Sequence, residues 1–118
     1  MLGQTLTDAI NPSHYQLPNN LQAIDLTEQY NFNLGNALKY ILRAGHKQNN
    51  PLKQDLDKAV WYINRENSRI PQPNPTLTSP TPFTAHLPVN LETATYLIYL
   101  AASQGNYSNL QRALKELE

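Results

Sequence analysis

The chain has 118 residues, with nine basic and nine acidic side chains and a net charge of zero. At this length a single domain over 1–118 is expected, and neutrality argues against long tracts of duplex nucleic acid as the main partner. There is no cysteine, which excludes disulfides, thiolate chemistry and thiolate zinc sites.

The longest apolar run is far short of the roughly 20 residues that a membrane span needs. Residues 1–10 lack a basic region followed by a long apolar stretch, so no signal peptide is read there. No membrane association and a cytoplasmic location are expected.

In chain order, residues 1 to about 20 form a polar lead-in that contains Asn11-Pro12-Ser13-His14-Tyr15. A first helix is predicted over 21–30, with Leu21, Ile24 and Leu26 available for burial. A second is predicted over 33–44, capped by Asn33 and stapled by Phe32. Its apolar stripe is Leu34, Ala37, Leu38, Ile41 and Leu42, and Gly45 supplies a stop. The third helix, 51–68, has Asn50 as cap and Pro51 in its first turn, where a missing N–H costs nothing. Its stripe is Leu52, Leu56, Ala59, Val60 and Ile63. The short turn between these two helices favours antiparallel packing, with Leu38, Ile41, Leu56, Val60 and Ile63 sharing one core.

From Ile70 to Leu91 there is one functional or structural anomaly. Six of the nine prolines fall there, and Asp, Glu, Lys and Arg are absent. The prolines argue against helix. Phe83, His86, Leu87 and Val89 give the segment apolar anchors, so it is expected to wrap the helices rather than hang free. A fourth helix over 91–103, capped by Asn90, carries Leu91, Ala94, Ile98, Ala101 and Ala102 and ends at Gly105. A fifth over 108–117 carries Leu110, Ala113, Leu114 and Leu117. The expected fold class is all-α: a small bundle of about five helices, with a helical core over 11–69, a proline-rich connection over 70–90 and a C-terminal helical pair over 91–118.

The second helix also carries a polar stripe. Asn36, Lys39, Tyr40 and Arg43 fall at i, i+3, i+4 and i+7 and share one face, and Lys47 follows. No acidic residue occurs between Glu28 and Asp55, so the segment has a positive field. Two cations, an amide and a phenol on one face can hold a phosphate and read a base. The same spacing also describes an ordinary solvated face. Asn11-Pro12 can form a turn that presents His14 and Tyr15, as ligands or simply as a packed turn. Asp25 and Asp55 are candidates for a magnesium ion or for ion pairs, Asp55 with Lys58 among them. No histidine pair stands at metal-ligand spacing, so no metal site is read. Trp61, Tyr62 and Tyr40 offer stacking surface, although Trp61 reads first as a core residue. There is no glycine-rich phosphate loop, and no nucleophile elbow.

The ordered motifs Asn11-Pro12-Ser13-His14-Tyr15, Phe32-Asn33-Leu34-Gly35-Asn36-Ala37-Leu38-Lys39-Tyr40-Ile41-Leu42-Arg43-Ala44-Gly45-His46-Lys47 and Asp55-Leu56-Asp57-Lys58-Ala59-Val60-Trp61-Tyr62-Ile63 resemble a family of small domains from bacteriophages and prophages. Its members are mostly uncharacterised or labelled "nucleotide kinase", after an enzyme that phosphorylates deoxynucleoside monophosphates without a P-loop. The resemblance spans roughly residues 11–66. It implies a phage-derived nucleotide-binding protein, acting in the host cytoplasm, with a P-loop-less nucleoside monophosphate kinase as the finer reading. The ligand-binding residues it implies are His14, Tyr15, Asn36, Lys39, Tyr40, Arg43 and Lys47. A kinase would need magnesium; otherwise no cofactor is expected. The alternative is a non-catalytic sponge for signalling nucleotides or a protein-interaction module, and a homo-oligomer would suit either.

Overall fold

A computed structural model describes residue 17, residues 20–44 and residues 51–118. Among these residues every regular element is helical. They are α1 (Ala23–Thr27), α2 (Phe32–Arg43), α3 (Leu52–Asn67), α4 (Thr81–Thr84), α5 (Val89–Gln104) and α6 (Ser108–Glu116). None is long and apolar enough to cross a membrane.

The core is built around α2. Leu34, Ala37, Leu38, Ile41 and Leu42 are all buried, as the spacing predicts. The helix starts earlier than expected. Asn31, not Asn33, is its cap, with the Asn31 side chain accepting from the Leu34 N–H at 2.9 Å. Phe32 is therefore the first helical residue rather than a staple, and 72% of it is exposed. Asn33 turns inward and donates to Glu66 Oε1 at 3.1 Å. The expected Gly45 stop and Asn50 cap lie outside the described residues.

Contacts at both ends fix α2 and α3 as an antiparallel hairpin. At one end Arg43 Nε lies 3.2 Å from Asp55 Oδ1. At the other, Asn31 and Asn33 both donate to Glu66. Asp55 thus pairs across the hairpin and not with Lys58, while Lys53 and Asp57 form the exposed i, i+4 pair at 2.8 Å. The α3 stripe is narrower than predicted. Ala59 and Ile63 are fully buried, Leu56 and Val60 only partly, and Leu52 is half exposed. The reason is an open groove of about 600 Å³ between α3 and α6, into which Leu52, Leu56 and Val60 face alongside Leu114 and Leu117.

α1 is shorter than the 21–30 predicted. It lies against α2 at Gly35, where an added Cβ would sit 2.8 Å from the Thr27 carbonyl oxygen. Only a glycine allows that approach.

The second hairpin is α5 with α6. Asn90, expected as a cap, lies inside α5, and its amide donates to the Glu116 carbonyl at 3.2 Å. That contact joins the start of α5 to the end of α6. Pro88 precedes the first helical residue instead. Gly105 ends α5 in the left-handed region at φ 71°, as its position predicts.

The proline-rich segment runs back over both hairpins. Asn74 N–H donates to Ala102 O at 2.9 Å, and Thr78 donates twice to the Gln29 side chain. Leu77, Pro80, Phe83 and Leu87 are buried. The prolines do not exclude helix throughout, however. Thr81–Thr84 makes one helical turn, with Pro82 in its first turn where no N–H is needed. The described residues thus add one short helical turn to the expected all-α bundle.

Candidate functional site

The polar stripe of α2 forms one surface with α3. Tyr40 sits at its centre. Lys39 Nζ lies 4.7 Å from the Tyr40 ring centroid, Arg43 Cζ 4.8 Å and Lys58 Nζ 5.2 Å. The π face attracts each cation, and the three cations repel one another. Asp55 offsets Arg43, but among the described residues neither Lys39 nor Lys58 has an ion-pair partner. The surface therefore carries an excess of positive charge next to an aromatic ring.

Aromatic side chains extend the surface. Tyr62 stacks on Tyr40 with centroids 6.1 Å apart and planes 14° from parallel. Phe32 and Trp61 each meet Tyr62 edge to face, at 6.0 Å and 5.0 Å. Trp61 was expected in the core, but 60% of it is exposed. Helical geometry explains the difference. The buried stripe of α3 runs through Ala59, Ile63 and Glu66, which leaves Trp61 on the outer flank.

Beside the stripe a hollow of about 240 Å³ opens, lined by Ile24, Phe32, Gly35, Asn36 and Lys39 among others. The Asn36 amide is partly engaged, donating to the Phe32 carbonyl at 2.8 Å.

Of the seven residues read from the sequence as ligand-binding, Asn36, Lys39, Tyr40 and Arg43 share this α2 face. His14, Tyr15 and Lys47 lie outside the described residues. Arg43 differs from expectation in one respect: it is not on a solvated face. Only 7% of it is exposed, because Asp55, itself fully buried, draws it in. Its charge is held in place from below, with the Tyr40 ring alongside.

Sequence reasoning missed Lys58 and Phe32 as parts of this surface. A signal existed for the first. Lys58, Trp61, Tyr62 and Arg65 repeat on α3 the i, i+3, i+4, i+7 spacing of the α2 stripe. Phe32 gave none, since an aromatic at a helix start reads as a staple.

Glu66 was also missed. It is 2% exposed and accepts from Asn31, Asn33 and Tyr107, with Arg69 at 3.6 Å. Three neutral donors and one cation satisfy a buried carboxylate. Burial first, and then the bond to Glu66, pushes the Tyr107 phenol well above its ordinary range.

A magnesium site does not emerge from the expected carboxylates. Asp55 is engaged by Arg43, and Asp25 lies exposed on α1. Among the described residues no three His, Asp or Glu side chains converge.

Comparison with known proteins finds similarity over the same stretch that forms this helical hairpin. Residues 10–64 match the DUF3310 family, described as a protein of unknown function. They take in α1, α2 and most of α3. The Gene 1.7 protein of Enterobacteria phage T3 is 38% identical over 64 residues, covering 48% of this chain and 39% of that relative. The chain thus spans about two fifths of the relative's length and is similar to a phage protein over about half of its own. No solved structure matches.

Proposed function

We propose that the α2–α3 face binds a nucleotide. The observation that carries this reading is the set of three cations within about 5 Å of the Tyr40 ring, next to the exposed indole of Trp61. Lys39 and Lys58 neutralise phosphate oxygens, and the base stacks on the aromatic flank. Asn36 hydrogen-bonds the base or sugar at the mouth of the hollow. Arg43, held by Asp55, supplies a fixed positive charge more than a mobile clamp. His14, Tyr15 and Lys47 belong to the proposal through the family motifs alone and lie outside the described residues.

The phage-family resemblance extends this reading to phosphoryl transfer onto a deoxynucleoside monophosphate, a reaction that rests mostly on positioning and charge neutralisation. The disposition of the carboxylates favours a second reading, in which the protein sequesters nucleotides without turning them over. Asp55 is committed to Arg43 and Asp25 lies apart on α1, so neither stands ready to hold magnesium.

Calorimetric titration with mono-, di- and cyclic nucleotides tests the binding. Wild type should bind at least one of them more tightly than millimolar. Lys39→Ala should weaken that binding by roughly 1.5–3 kcal/mol, the scale of a hydrogen bond to a charged group. If no nucleotide binds below millimolar, the reading fails. Magnesium-dependent consumption of ATP would decide for the kinase over the sequestering protein.

A further inference from the structure

Resting on the reading that the α2–α3 face binds nucleotides, we infer that its ligand is a single-stranded oligonucleotide, held as at least two consecutive nucleotides, rather than an isolated mononucleotide. The surface offers more stacking area than one base can use. Phe32 and Trp61 both contact Tyr62, at 6.0 Å and 5.0 Å, with interplanar angles of 70° and 85°. An edge-to-face contact leaves aromatic surface uncovered, and 72% of Phe32 and 60% of Trp61 face solvent. Phe32 and Trp61 are thus two exposed rings that both meet Tyr62.

The charge lies beside this cluster. Tyr62 stacks on Tyr40, and Tyr40 is ringed by Lys39, Arg43 and Lys58. The cations therefore gather around one ring of the aromatic cluster. Cations beside exposed aromatic rings are how proteins hold a single strand: the positive groups meet the phosphates while successive bases stack on the rings. One base alone would leave one of the two exposed rings, Phe32 or Trp61, unused. A duplex would offer no free base faces to Phe32 and Trp61, and the neutral chain lacks the wide basic surface that duplex binding requires.

Trp61 is the sole tryptophan, so its fluorescence reports directly on the site. The full chain is titrated with thymidylate, the thymidylyl dinucleotide, a short oligothymidylate and a duplex of mixed sequence. All three single-stranded probes should quench Trp61. Affinity should rise by roughly tenfold or more from mononucleotide to oligonucleotide, since each added stacked base contributes about 1–3 kcal/mol. It should also fall steeply with salt. Phe32→Ala, at an exposed position, should abolish the gain with length.

Equal affinity for mononucleotide and oligonucleotide overturns the inference and leaves the nucleotide-binding reading intact. A length-dependent gain that survives Phe32→Ala also overturns it, because the added affinity then comes from elsewhere. Duplex binding as tight as that of the single strand does the same. Absence of quenching and of calorimetric heat with every probe removes the nucleotide reading itself.

Discussion

The two hairpins of this protein are held together by different means. In α2–α3 the helices are joined by buried polar contacts at both ends: Arg43 with Asp55, and Asn31 and Asn33 with Glu66. In α5–α6 the buried residues are mainly Leu91, Ala94, Ile98, Ala101, Leu110 and Ala113, and the polar link between the helix ends, Asn90 to Glu116 O, is exposed. An apolar seam tolerates sliding and repacking. Directional contacts at both ends of a hairpin fix its register. The hairpin with fixed register is the one that carries the aromatic and cationic surface and the DUF3310 match. Buried polar contacts are a poor way to gain stability, but they can specify an arrangement.

The sharpest way to break the comparison is Arg43→Ala. Removing one partner of a buried pair leaves its carboxylate mate poorly compensated, so a loss of roughly 3–5 kcal/mol is expected in urea unfolding. A shift below about 1 kcal/mol would show that Asp55 is equally content without arginine.

Next come the apolar positions within the α2–α3 hairpin. Leu38→Ala, at a fully buried site, should cost roughly 2–5 kcal/mol. Leu56→Ala, at a position placed in the same core by the sequence, should cost clearly less, because Leu56 borders an open groove. Equal losses at the two positions would mean the groove closes in solution.

Gly105→Ala sharpens the picture of the second hairpin. The residue has φ 71°, and a Cβ would stand 3.1 Å from Pro73 Cδ. A loss of about 1–2 kcal/mol from the left-handed backbone is expected, with a further increment from the proline contact. A neutral result would show that the proline-rich segment yields easily.

The smallest effect concerns pH. The Tyr30 hydroxyl is buried with no hydrogen-bond partner among the described residues, and burial, followed by Tyr99, raises its pKa above the ordinary 10.0. Above pH ~10 the unfolded chain releases this proton and the folded one retains it, so the unfolded state binds fewer protons and stability falls as pH rises. Tyr107, raised in the same direction, adds to the fall. Tyr30→Phe should be neutral or slightly stabilising at neutral pH and should flatten the alkaline loss. Denaturant midpoints measured on either side of pH ~10 compare the two proteins; parallel curves would refute the account.

The parts of the fold that follow a single helix's own periodicity were legible in the sequence. Leu34, Ala37, Leu38, Ile41 and Leu42 announce a buried face, and Gly105 announces a stop. What was not legible depends on a second element. Nothing local to α2 shows that Arg43 lies over Asp55, so its place on the polar stripe gives no sign that it is buried. Nothing local to α3 distinguishes the inner flank of Ile63 from the outer flank of Trp61 until α2 is packed against it. The α2 part of the candidate site was legible because its spacing is helical. Lys58 and Phe32 joined it only through the hairpin.

Asn31 has a consequence for cooperativity. Its carbonyl oxygen caps the first turn of α2, while its amide nitrogen holds Glu66, which also receives the Tyr107 hydroxyl from the junction of α5 and α6. The nucleation of one helix is thereby wired to the docking of the other hairpin. Detaching α5–α6 would loosen Glu66, and through it the cap at Leu34. The first amides of α2 should therefore exchange with solvent at a rate set by the opening of the far half of the molecule, although no residue of that half touches them directly through a backbone bond.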